Sequence, residues 1–140
     1  MIVGYKSAGD YIVKLSINKT TSNINRKNVY DINTAYFRCK EAKVESITHK
    51  ISNKKIDIVK SDYDSSFIYE THKTVTAKNY NTDKDSVCTG GIHFFLTEEP
   101  AKYYNFNTTN NFTGILKTWY SNGFKNIFSE YNRGKFIKSV

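Results

Sequence analysis

The dipeptide Asn122-Gly123 sits between two stretches of alternating or aromatic residues, GILKTWYS and FKNIFSEY. No other feature of the chain limits its possible folds as much. Asn and Gly both accept positive φ, so the pair predicts a two-residue type I′ turn that folds the flanks into an antiparallel hairpin. That turn sets Ser121 opposite Phe124, Trp119 opposite Asn126 and Lys117 opposite Phe128. Ile115, Trp119, Phe124 and Phe128 then share one face. A second turn at Asn132-Arg133-Gly134 adds a third strand, KFIKSV. A lone hairpin is marginal in water, so this meander must pack on the rest of the chain or on another molecule.

Upstream, YIVKLSI (residues 11–17) alternates in the manner of a half-buried strand, with Tyr11, Val13, Leu15 and Ile17 on one face. Residues 18–34 are polar and Asn-rich and read as a long loop. AYFRCKEAKVESI (35–47) holds strand halves at Tyr36–Cys39 and Lys43–Ile47. SFIYE (66–70) and KTVTA (73–77) read as short strands around a tight connection, and NYNTDKDS (79–86) as a polar loop. Ile92–Leu96 is apolar on both pleat faces, which suits a central strand. Thr97 is placed to cap a short helix, TEEPAKYY. The expected class is mainly β, or α+β with one short helix: a compact antiparallel sheet domain over 1–108, with a hairpin or meander over 109–140 packed on it as a single compact unit.

The chain of 140 residues carries 18 Lys and 3 Arg against 13 acidic residues, a net +8. The charge is uneven: +7 over residues 1–60, −3 over 61–109 and +4 over 110–140. Basic ends could meet a polyanion. The scarcity of Arg, with 15 Asn, instead favours compositional drift and a solvated lysine surface. The first residues, MIVGYKSAGDYIVKL, lack the apolar core of a secretory signal, and no apolar run approaches the ~20 residues of a spanning helix. A cytoplasmic protein without membrane contact is the expectation.

Three stretches resemble an uncharacterised domain family of large DNA viruses, phages and bacteria, sometimes joined to pentapeptide repeats. They are Gly4-Tyr5-Lys6 with IVKLSI following, FRCKEAKV (37–44), and SFIYE…CTGGIHFFLTEEPAKYY (66–104). Cys88, Gly91 to Phe95, Thr97 and Glu99 carry the signature. Thr71-His72 departs from it, standing where a Gly-Glu pair is usual. The resemblance covers about residues 1–106; it implies a β-rich fold and brings no activity. The tail from Gly114 to Lys135 resembles one unit of the MORN-type repeat of antitoxin-like proteins, whose hairpins build extended meanders.

Candidate chemistry is sparse. Cys88 and His93 could pair as nucleophile and base, and with Cys39 and His72 they include zinc-type donors, but no closely spaced ligand pair occurs. The expectation is buried, reduced thiols, a core histidine, no metal and no cofactor. Tyr103, Tyr104, Trp119 and Tyr120 are the candidate contact residues, able to stack or to fill a partner's pocket. The leading expectation is a non-catalytic interaction or self-assembly module acting on a host or viral protein or on a second copy. A polyanion or nucleic-acid binder comes next, and a small enzyme or nucleotide binder using the Cys88–His93 region third.

Overall fold

The computed structural model describes residues 1–109 and 111–140. Strand dominates. β1 (Ile2–Ala8) and β2 (Tyr11–Ile17) form a seven-pair hairpin, and β2 pairs in turn with β4 (Glu41–His49). β3 (Tyr36–Cys39) lies at the other side of the sheet, next to β9 (Ile92–Phe95). The order is β3-β9-β1-β2-β4-β5, with β5 (Lys55–Ile56) and β8 (Thr74–Thr76) both on β4. β6 (Ile58–Lys60) and β7 (Ile68–Glu70) form a separate ribbon. The two short strands read at 66–77 therefore part company: β7 joins β6, and β8 joins β4. β9 is interior, as its apolar run predicted.

β2 shows how the core forms. Val13, Leu15 and Ile17 are fully buried, and they pack with Phe37, Cys39, Val44, Tyr69 and Phe94 on one face of the sheet. Ile12 points to the other face and is buried with Phe95 and Ala101 under helix α1 (Glu98–Tyr103). Burial on both faces explains the continuous apolar run in β9. Thr97 occupies the N-cap position of α1, but its hydroxyl donates to the Asn33 carbonyl (2.5 Å) and makes no cap bond.

The loop at 18–34 is not free. After a 3-10 turn at Lys19–Thr21, Asn23 runs beside β3: its amide donates to the Arg38 carbonyl (3.0 Å) and its Oδ1 accepts from the Arg38 amide (2.7 Å). Arg38 is completely buried without a carboxylate. Its guanidinium donates to the Ser86 (2.7 Å), Gly90 (3.3 Å), Asn81 and Asp83 carbonyls and lies 5.3 Å from the Tyr80 ring. One arginine thus gathers the polar loop at 79–90, whose carbonyls would otherwise need water.

The tail forms a three-stranded meander, β10 (Gly114–Trp119), β11 (Lys125–Asn132) and β12 (Lys135–Ser139). Its first turn corrects the type I′ expectation. Gly123 has φ +92°, whereas Asn122 is not among the positive-φ residues. The Tyr120 amide donates to the Phe124 carbonyl and the Gly123 amide to the Tyr120 carbonyl, both at 2.9 Å, enclosing a three-residue loop with glycine last. Trp119 therefore faces Lys125, and a bulge at Thr118/Trp119 restores Lys117 opposite Phe128. The cause is tertiary. The Asn122 carbonyl accepts from the Tyr30 (2.8 Å) and Asp31 (3.1 Å) amides, and the Ser121 carbonyl accepts from Arg26 Nη2 (2.6 Å) and the Tyr36 amide (3.2 Å). A two-residue turn would not present both carbonyls to the loop at 26–36.

Candidate functional site

The ladder between β1 and β9 consists of a single pair, Tyr5 with Phe95, although both strands run on. Where it stops, the Lys6 ammonium donates to the His93 carbonyl (3.1 Å). A cavity of about 580 Å³ opens beside this contact. Lys6, Ile92 and His93 line it from the sheet, Tyr36 and Cys88 from one side, and Tyr63, Phe67 and Tyr104 from the other. The Tyr63 and Tyr104 hydroxyls meet at 2.5 Å. Tyr104 is fixed from behind, because its carbonyl accepts from Ser7 Oγ (3.0 Å) and from Lys50 Nζ (2.9 Å).

Electrostatically the site joins buried cations to phenols. Burial holds the Lys6 ammonium down to about 8, and Asp62 and Cys39 only partly offset this. Lys50 is lowered to about 8 for the same reason, with Asp62 and Asp10 opposing. Burial, followed by hydrogen bonding to Cys88, raises the Tyr36 hydroxyl above its usual range, and Tyr104 is raised by burial and by its bond to Tyr63. At neutral pH these phenols are therefore protonated donors.

Cys88 and His93 do line one cavity, yet each is committed elsewhere. The Cys88 sulfur lies 3.1 Å from the Tyr36 hydroxyl, and His93 Nε2 lies 3.1 Å from the Val87 carbonyl. Burial lowers the His93 pKa, and nearby Lys6 and Arg38 add to that. A thiol–imidazole couple needs the two side chains in mutual hydrogen-bond reach. The expectation of two buried thiols holds for Cys39, whose thiol burial pushes up to about 12, and fails for Cys88, which is exposed at the cavity mouth. No group of three or more His, Cys, Asp or Glu suited to a metal occurs among the described residues.

The contact candidates separate into two places. Tyr103, Tyr104 and Trp119 line a second cavity of about 330 Å³ between α1 and β10, with Tyr104 forming a wall of both cavities. Trp119 is half-buried and stacks edge-on to Phe128 at 5.7 Å. Tyr120 lies outside, 55% exposed. On the meander Ile115, Phe124, Ile127, Phe136, Ile137 and Val140 are exposed, as is every residue of β12, and the strand register spreads them over both faces.

Residues 1–101 match a family of unknown function, DUF5758. The chain belongs to this family. Membership agrees with the sequence resemblance at the level of an uncharacterised, β-rich domain, and the matched span ends within α1, before the meander. Neither a curated protein nor a solved structure matches the chain.

Sequence reasoning missed Lys6, Tyr63, Arg26 and Arg38, all of which shape or support these sites. For Lys6 a signal existed: within IVGYKSA it alternates with Gly4 and Ala8, a core-facing row in which a lysine is out of place.

Proposed function

We propose that the chain is a non-catalytic protein-interaction module of a virus-associated kind, whose contact surface is the C-terminal meander. The supporting observation is the number of apolar residues it leaves exposed. Seven of the fifteen exposed large hydrophobic residues among the described ones follow Gly114, including Phe136 (58%) and Ile137 (49%) on the edge strand β12. Exposed apolar side chains concentrated in one small element mark that element as a candidate contact surface. The likeness of the tail to a single MORN-type unit supports the same reading, since one unit has no neighbour of its own to stack on. The partner is a second copy of the chain or a host or viral protein.

Sedimentation equilibrium tests this directly. The full chain is expected to exceed its 16.2 kDa monomer mass, alone or with its partner. The variant Phe136→Lys/Ile137→Lys is expected to return to monomer with an unchanged melt. A wild type that stays monomeric, together with a variant indistinguishable from it in solubility and in mass with every candidate partner, would refute the reading.

The polyanion reading has less to draw on. Lys6, Arg26, Arg38 and Lys50 are buried, so four basic residues of the strongly positive N-terminal part are withdrawn from the outer surface that a polymeric anion would meet. Two of the three arginines are spent on backbone carbonyls.

A further inference from the structure

The cavity where β1 and β9 part is not explained by an interaction surface on the meander. Lys6 lines it, and only 8% of this residue is exposed. Such a charge is ordinarily paired with a carboxylate. Lys6 is not: the ion pairs found among the described residues are Lys117–Glu99 and Lys138–Glu130. One of its three donors is used, on the His93 carbonyl. A methionine would fill similar space without the desolvation cost, so the packing does not require the charge.

Above the ammonium the walls are planar rings, with Tyr36 and Tyr104 as protonated hydroxyl donors and Phe67 as an apolar face. The carboxylate at the mouth, Asp64, is held by the Ser66 amide (2.9 Å) and hydroxyl (2.6 Å). A volume of about 580 Å³ falls in the range of pockets that enclose a small organic ligand.

We propose that this cavity binds a small organic anion with a planar aromatic body, its oxyanion head on Lys6 Nζ and its ring between Tyr36, Phe67 and Tyr104. A carboxylate and a phosphate monoester share the required head chemistry. The ligand neutralises a buried cation that has no ion-pair partner among the described residues and a single acceptor, whereas buried Lys50, Arg26 and Arg38 each meet two or more. Binding here is separate from the meander surface, so either site can fail without the other.

The test is titration of the full chain, followed by NMR, with benzoate, phenyl phosphate and the neutral isostere benzamide. At least one anion is expected to saturate below about 1 mM and to shift the Lys6 side chain and the His93 ring, with benzamide at least tenfold weaker. The ratio of the two anions identifies which head the site prefers. Lys6→Met should reduce anion affinity at least tenfold while leaving the protein folded. Should Lys6→Met not fold, Tyr63→Ala, a change at an exposed wall residue, should still weaken the aromatic anion several-fold. Equal affinity for benzamide, shifts that map away from Lys6, or no saturation by either anion would overturn the proposal.

Discussion

In the seven-stranded sheet, β2 hides Val13, Leu15 and Ile17 completely, whereas β12 of the meander leaves all five of its residues in solvent. The first sheet is held by side chains packed on both faces. The second is attached mainly at one end, where the turn at 120–124 offers its carbonyls to Arg26 and to the amides of Tyr30, Asp31 and Tyr36. A string of neighbouring rings, Tyr103–Phe106–Phe112–Tyr131–Phe136, edge-on except for the tilted Phe112–Tyr131 pair, continues the attachment along the meander. Two β-sheets in one short chain can therefore owe their stability to different causes. Apolar burial is insensitive to small backbone shifts, while a carbonyl dock depends on a single turn geometry.

The contrast is sharpest for two phenylalanines. Phe94→Ala, in the buried sheet, should cost about 4 kcal/mol in a urea melt. Phe136→Ala, at 58% exposure, should change the monomer by less than about 0.5 kcal/mol. Equal effects would mean that the meander is as much core as the sheet. Next in size is Arg38→Leu, which removes the donors of four carbonyls and should cost about 3 kcal/mol, with loss of hydrogen-exchange protection confined first to residues 79–90. A melt within error of the wild type would show that water replaces the guanidinium freely.

Gly123→Val should cost about 2 kcal/mol, for two reasons that add: its φ is +92°, and a Cβ there would lie 2.2 Å from the Asp31 carbonyl oxygen. The amides of Tyr30 and Asp31 should lose exchange protection while β1, β2 and β4 keep theirs. Protection lost throughout would mean that the tip holds the entire chain together. The smallest effect is pH-dependent. Lys6 and Lys50 fall from 10.5 to about 8 on folding, so the unfolded chain binds more protons above pH 8 and stability rises there. The Cys39 thiol, raised from 9.0 to about 12, and the raised tyrosines Tyr36, Tyr69 and Tyr104 work the other way at higher pH. The urea midpoint should gain about 1 kcal/mol between pH 8 and 9 and decline above pH 10, with a smaller gain in Lys6→Met. A midpoint that falls steadily from pH 8 would show that the buried lysines titrate as exposed ones do.

Alternation and apolar runs made β2, β9, the two halves at 36–47, the helix after Thr97 and the meander legible, because each is governed by local pattern. β1 escaped notice because Gly4 and Lys6 interrupt its alternation. The better signal was Gly9-Asp10, where glycine at the first position (φ +59°) closes a two-residue hairpin onto β2. The Asn122-Gly123 turn was located correctly and given the wrong geometry, since the loop that reshapes it lies some 90 residues away in sequence. The cavity was illegible for the same reason. Cys88 and His93 are near each other in the chain, but Lys6, Tyr63 and Tyr104 reach them only through the sheet order. Among the described residues, no helix is long and apolar enough to cross a membrane.

The docking of the last turn also sets an order of events during synthesis. Arg26 is made 95 residues before one of its acceptors, the Ser121 carbonyl. Until then the amides of Tyr30, Asp31 and Tyr36 lack their acceptors, and the guanidinium has only the Lys27 and Tyr36 carbonyls of its own loop. β1, β2 and β4 can pair as they emerge, because their partners are close at hand. The loop at 26–36 reaches its final arrangement only once residues 121 and 122 are in place. A chain cut before Ser121 is therefore expected to keep most of its sheet and to expose the loop at 26–36 to proteases.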